Sequence, residues 1–267
     1  MVPGRLRELL LQVALEAADD GSLPPQAHAG PPDGVLFRPV DGRSAGVVAD
    51  WVSPVATRWA PFLGLEPRAL AQVLARGLVE RVEVDAVEVT PSGLMAVTLT
   101  DPCRAQILEM ILADEHYGCG HEADDAGTCD RSTVASDLAL QGDSLRLVQL
   151  AHARLCRVVR NAEAVGVSTR AVDDRGTLTH VSERLLQVAL ADLPQRLDAA
   201  AGDLARAVRA LTDLAELSDA CDRPARPAVV GDDITAEHGV RLALARATAR
   251  VLRNGLLRLN VDAPERM

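Results

Sequence analysis

Six arginines form the clearest chemical pattern in this sequence. Arg154, Arg157 and Arg160 recur at every third position, and Arg246, Arg250 and Arg253 follow at steps of four and three near the carboxyl end. On helices, groups three and four residues apart share a face. A face of guanidinium groups suits a phosphate backbone, because each fork can hold two anionic oxygens. Asn161 and Asn254 close the two runs, and an amide both donates and accepts, as a nucleobase edge requires. Two such helices meeting across a bundle would follow an RNA backbone; the competing reading is a solvated helix face, the ordinary setting of exposed charge.

A second constellation is His116, Cys119, His121 and Cys129, whose side chains are of the kinds that hold tetrahedral zinc. Their spacing is not that of a standard finger, and the acids around them suit a plain flexible linker equally. His152 lies one residue past an apolar seam and reads as packed or capping. No Ser/His/Asp or Cys/His arrangement is legible, and the carboxylates gather in loops where solvated charge is usual. No catalytic residues are therefore expected.

The elements that would position these groups fall into two parts. At 267 residues the chain can bury two cores. Leucines and valines at helical spacing over 1–18 stop at Gly21, Pro24 and Pro25, and a Pro/Gly-rich loop with Val35-Leu36-Phe37 as a short strand follows. Helical periodicity over Ala49 to about Pro61 and from Pro67 to Leu78 precedes a change to period two. Val82 to Val89, the Pro91-Ser92-Gly93 turn and Leu94 to Leu99 then read as a β-hairpin, with a helix over Arg104–Leu112. The acid-rich stretch at 114–135 reads as a linker, so the domain boundary is placed there. Beyond it the pattern predicts helices at 144–165, 182–200, 203–220 and 236–258, with Ser182 and Thr235 as N-caps. The fold class is α+β overall and mainly helical: a small α/β domain over 1–113, then an all-α bundle over 136–267.

Composition narrows the function classes. Hydrophobic residues make up 48% and charged residues 25%, and no apolar run reaches the roughly 20 residues that span a bilayer. The first sixteen residues carry Arg5, Arg7, Glu8 and Glu16, unlike a secretory signal, so a cytoplasmic protein is expected. The cysteines at 103, 119, 129, 156 and 221 are odd in number and scattered, as reduced thiols would be. All 28 basic residues are arginine against 38 acids, a net charge of −10. The excess acid lies in the first half, so nonspecific adhesion to nucleic acid is not expected.

Leu147-Val-Gln-Leu-Ala-His-Ala-Arg-Leu-Cys-Arg-Val-Val-Arg-Asn-Ala resembles the opening helix of the anticodon-binding (DALR) domain of arginyl-tRNA synthetases. Val251-Leu-Arg-Asn-Gly-Leu-Leu-Arg-Leu-Asn-Val-Asp-Ala-Pro-Glu-Arg-Met is similar to that family's carboxyl terminus. The first 113 residues look like its N-terminal domain in the order and spacing of their elements. The family's His-x-Gly-His and Lys-Met-Ser-Lys-Ser signatures do not occur, so the resemblance implies two tRNA-contacting domains without the catalytic domain between them. It implies tRNA as partner, an arginine tRNA above all, serving a modifying or regulatory partner. It implies RNA contacts on the first and last bundle helices and at the terminal residue, Met267. The family carries aromatic residues in the bundle, where this chain has Leu147 and Leu150 in the first helix. That loss motivates a second expectation, a protein-interaction module that kept the fold.

Overall fold

The computed structural model describes residues 3–40, 49–119, 141–168, 178, 180–222 and 233–267. These form two compact units, Met1–Ile107 and Leu108–Met267.

In the first unit, α1 (Pro3–Asp19) buries Leu6, Leu9, Leu10, Val13, Ala14 and Ala17, an apolar stripe at helical period. α2 (Val55–Leu63) ends where Gly64 takes a left-handed φ of 64°. α3 (Pro67–Val79) begins with proline at its first turn, where a missing amide hydrogen costs nothing. The strands β1 (Arg38–Pro39), β2 (Trp51–Ser53), β3 (Val84–Val89) and β4 (Met95–Leu99) form an antiparallel sheet in the order β1-β2-β4-β3. Gly93 makes the β3–β4 turn at φ 86°, and a Cβ there would lie 2.9 Å from the Pro67 carbonyl carbon. α4 (Asp101–Ala113) follows. Asp50 is buried beside the sheet and accepts from Leu99 N–H at 2.7 Å and from Arg104 at 2.8 Å, a buried ion pair completed by a backbone donor.

Two expectations change here. The segment opening at Ala49 is strand β2 before it is helix, because Trp51 and Ser53 turn inward against β4; three residues are too few for a period to declare itself. Val35-Leu36-Phe37 is not strand: Leu36 and Phe37 are buried as packing side chains, and the strand falls on Arg38–Pro39. The break expected between Pro61 and Pro67 falls at 64–66, with Pro61 inside the last turn of α2.

The second unit holds α5 (Gly142–Ala164), α6 (Val181–Ala199), α7 (Leu204–Asp222) and α8 (Ala236–Arg258). α5 packs on α7 and α8, and α6 packs on the same two helices. Leu145, Val148, Leu155, Leu186, Leu190, Leu211, Leu214, Leu242, Val251 and Leu252 fill the interior. α8 is buried on most of its circumference by small and branched residues from Gly239 to Leu256, the pattern of a helix enclosed by neighbours. Thr235 is its N-cap, with its N–H donating to His238 Nδ1 at 3.0 Å. The cap of α6 is His180 and not Ser182: the His180 ring accepts from Ser182 N–H at 3.2 Å, and Glu183 accepts from His180 N–H at 2.9 Å. Buried Glu183 also accepts from Arg241 at 2.7 Å, so the same carboxylate ties α6 to α8. Among the described residues no helix is long and apolar enough to cross a membrane.

Candidate functional site

The carboxyl-terminal segment doubles back along α5. Asn260 adopts φ 56°, a left-handed turn that asparagine tolerates, and Val261 N–H closes it on Leu256 O at 3.0 Å. Three α5 side chains then hold the returning backbone. Gln149 donates to Asp262 O at 2.8 Å, His152 Nδ1 to Pro264 O at 3.0 Å, and Arg160 to Glu265 O at 3.3 Å. Met267 stands beyond these anchors with 60% of its surface exposed.

The arginines of α5 have different surroundings. Every third residue on a helix steps about 60° around the axis, so a run of three fans out and does not stack. Arg154 reaches α7, bonding Ser218 Oγ at 3.3 Å and pairing with Asp219. Arg160 turns to the returning tail, where the Glu265 carboxylate is 3.8 Å away. Arg157 lies between them, exposed and without a partner among the described residues, and Asn161 is also exposed. The α8 run divides in a similar way. Arg246 pairs with Glu163 of α5. Arg250 donates to the carbonyls of Ile111 at 3.1 Å and Leu112 at 2.7 Å, and Asn254 donates to Glu115 O and Tyr117 O, each at 2.9 Å. These two side chains thus hold the chain leaving α4 and are not open to a ligand in the way Arg253 is, which is exposed with no partner among the described residues.

Arg160, Arg246 and Arg250 come together on a groove of about 560 Å³ between α5 and α8, with Cys156, Val159, Ala249, Leu112 and Glu265 completing its wall. Sequence reasoning did not pair Cys156 with anything, yet its Sγ is 3.5 Å from His152 Nε2. The signal was the spacing of four, which puts both on one helix face. A carbonyl only accepts, so the bond to Pro264 O puts the imidazole proton on Nδ1 and leaves Nε2 to accept from the thiol. Desolvation lowers the His152 pKa, and Arg253 adds to this; Pro264 O and Glu265 oppose it. Desolvation likewise raises the Cys156 thiol, helped by Glu265 and opposed by Arg160 and Arg253. The resting pair is therefore a neutral thiol on a neutral imidazole.

Of the zinc candidates, His116 and Cys119 are described, with Cys119 N–H on His116 O at 2.9 Å, whereas His121 and Cys129 lie outside the described residues. Among the described residues no group of three or more His, Cys, Asp or Glu side chains is placed to hold a metal ion. Trp51, Trp59, Phe37 and Tyr117 are buried, and Phe62 of the first unit is 72% exposed. Tyr117 donates to Leu190 O at 3.4 Å, and burial raises its pKa. Leu147 and Leu150 are 54% and 45% exposed on the same side of α5 as Arg157.

Residues 148–267 match the DALR anticodon binding domain family. The arginine–tRNA ligase of Kineococcus radiotolerans is 41% identical over 153 residues, 51% of this chain and 27% of that protein. The ligase of Chloroflexus aurantiacus is 36% identical over 138 residues, 49% of this chain and 22% of the relative. That of Frankia alni is 41% identical over 128 residues, 45% and 22%. The matches thus span about a quarter of these relatives' length. The chain is related to arginyl-tRNA synthetases, and its helical unit carries the relationship through an anticodon-binding domain.

Proposed function

We propose, from that relationship, that the helical unit binds an arginine tRNA along the exposed face of α5 and the end of α8, and that this chain does not aminoacylate the tRNA by itself. The single observation that carries the reading is the anticodon-binding match over 148–267, laid on a surface where Arg157 and Arg253 are exposed without partners among the described residues. Each is free to meet a phosphate without first breaking an ion pair. Arg160 and Arg246 flank them, while Asn161 and Met267 stand open at the same surface. Arg154 forms the edge toward α7. Arg250 and Asn254 enter as supports: they fix the backbone of 111–117 and hence the groove wall beside it.

Base stacking contributes little in this reading. An aromatic platform gives about 1–3 kcal/mol per base, and Leu147 and Leu150 offer none. Binding then rests on the backbone and depends strongly on salt. Titrating fluorescently labelled arginine tRNA and a noncognate tRNA into the full chain tests the reading. The expected result is tighter binding of the arginine tRNA, weakened by Arg157→Ala and Arg253→Ala; equal, unsaturable binding of both tRNAs would overturn it. A parallel aminoacylation assay is expected to give no charged tRNA.

A second reading is favoured by one observation: Leu147 and Leu150 stand half exposed on α5. Such a face also suits a protein partner. If tRNA fails to bind, and a polypeptide released by Leu147→Asp is recovered from the host, this second reading holds.

A further inference from the structure

We propose that Cys156 is a modification site at which a small, carboxylate-bearing disulfide forms a mixed disulfide with the protein, its acidic portion lying in the groove between α5 and α8. This goes beyond the reading of the unit as an RNA binder and does not depend on it.

Three independent features converge on this thiol. The first is a base. Cys156 Sγ meets His152 Nε2 at 3.5 Å, and the carbonyl of Pro264 fixes the imidazole with its proton on the far nitrogen. A thiol hydrogen-bonded to an oriented, unprotonated ring nitrogen is the arrangement that activates a sulfur nucleophile. The second is space. The groove beside the sulfur has a volume of about 560 Å³, within the range that accepts a tripeptide-sized molecule.

The third is charge. Arg250 lines the groove with its guanidinium held by the carbonyls of 111 and 112, which orient it, and it has no carboxylate partner among the described residues. Arg253 bears on Cys156 electrostatically and has no carboxylate partner among the described residues. Arg160 faces Glu265 only at 3.8 Å. Among the described residues two acids face the groove arginines, Glu163 on Arg246 and Glu265 on Arg160, the latter part of the groove wall. Among the described residues four arginines (160, 246, 250 and 253) thus stand against two side-chain carboxylates, Glu163 and Glu265, the latter acting on the sulfur itself, and an anionic reagent is drawn in ahead of a neutral or cationic one.

The chemistry is thiol–disulfide exchange. As the Cys156 sulfur attacks one sulfur of the small disulfide, its proton passes to His152 Nε2. The new S–S bond forms as the old one breaks, and the departing thiolate takes the proton back from Nε2. The small disulfide is the oxidant: one of its halves leaves as a thiol and the other stays on Cys156. Because Cys156 rests as a neutral thiol, unselective reagents react slowly there, and selectivity lies in what the groove holds beside it.

The test compares oxidised glutathione, which carries four carboxylates, with cystamine, which carries only amines. The full-length chain is incubated with each, and adducts at Cys156 and Cys119 are timed by peptide mass spectrometry. Glutathione is expected to label Cys156 roughly tenfold faster than Cys119, with the order lost or inverted for cystamine. Arg253→Gln, an exposed position where folding is not at stake, is expected to slow glutathione and speed cystamine. His152→Asn is expected to slow both. Arg160→Gln repeats the charge test should the His152 variant fail to fold. Equal labelling of the two cysteines by glutathione in the native protein, or glutathione rates at Cys156 unmoved by Arg253→Gln and Arg160→Gln, would overturn the proposal. Neither readout involves RNA, so a protein that does not bind tRNA can still carry the adduct.

Discussion

Arg250 and Arg253 differ by three positions and by everything around them. The former donates to three backbone carbonyls at 3.1, 2.7 and 3.4 Å, and Asn254 donates to two; the latter points into solvent. Hydrogen bonds from charged donors to buried acceptors contribute roughly 1.5–3 kcal/mol, so Arg250→Ala is expected to lower unfolding stability by about 2 kcal/mol, and Asn254→Ala by about 1–3 kcal/mol. Arg157→Ala and Arg253→Ala are expected to stay within about 0.5 kcal/mol of the parent. Urea melts of the four variants check this; a large loss at Arg253 would mean that it is bound within the fold. Residue type was legible in the sequence and partner was not: nothing in a run of arginines tells which guanidinium meets a carbonyl 139 residues earlier. His152 shows the same limit from the other side. A packed histidine was legible, its thiol neighbour went unweighed, and the carbonyl that fixes its tautomer lies 112 residues away. Burial lowers its pKa from the ordinary 6.5, against the pull of Glu265 and with that of Arg253. The unfolded chain therefore takes up the proton first. His152 contributes stability above about pH 6.5 that is lost as pH falls through the lowered value. Between about pH 7 and 5 the urea midpoint of the parent is expected to fall more than that of His152→Gln. Parallel slopes for the two proteins would remove His152 as the cause. His28 works in the opposite sense, since its hydrogen bond to Asp19 raises its pKa, but it is exposed in the first unit and screened.

Periodicity found the long elements, because each has one face to bury. The four bundle helices lie within about two residues of where the apolar spacing put them, and the β3–β4 hairpin follows the change to period two. What escaped was short or set by tertiary contact. β2 has three residues and owes its state to β4, and the α6 cap is a histidine whose ring serves where a hydroxyl was expected. Close packing between helices was also silent, and Gly77 tests it. In an open helix Gly→Ala gains about 1 kcal/mol from propensity. Here an added Cβ would lie 2.5 Å from Val13 Cγ1 and 3.3 Å from Val13 Cβ. Val13 is buried and β-branched, so it cannot rotate away. Overpacking costs typically 1–3 kcal/mol, and the clash outweighs the propensity gain. Gly77→Ala is thus expected to destabilise the first unit by about 1 kcal/mol, read as a lower thermal midpoint. A stabilised variant would mean that α1 and α3 separate easily.

Across the whole molecule the charge is −10, with the excess acid in the first half, so any RNA is bound against the mean field by a local surface. That makes the salt dependence of tRNA binding a count of the cations that touch phosphate. The open cations of the proposed face are Arg157 and Arg253, with Arg160 and Arg246 beside them at the price of loosening their pairs with Glu265 and Glu163. Three to four phosphate contacts correspond to a slope of roughly −2 to −3.6 in log K against log salt, at about −0.7 to −0.9 for each contact. Arg253→Ala is expected to shallow that slope by just under one, while Arg250→Ala lowers stability and moves the slope less. Anisotropy titrations at several salt concentrations measure both. A slope near zero would transfer the affinity to apolar contact at Leu147, Leu150 and Met267, and so to the protein-partner reading. A slope steeper than roughly −5 would need more cations than this face presents and would bring the arginines of the first unit into the complex.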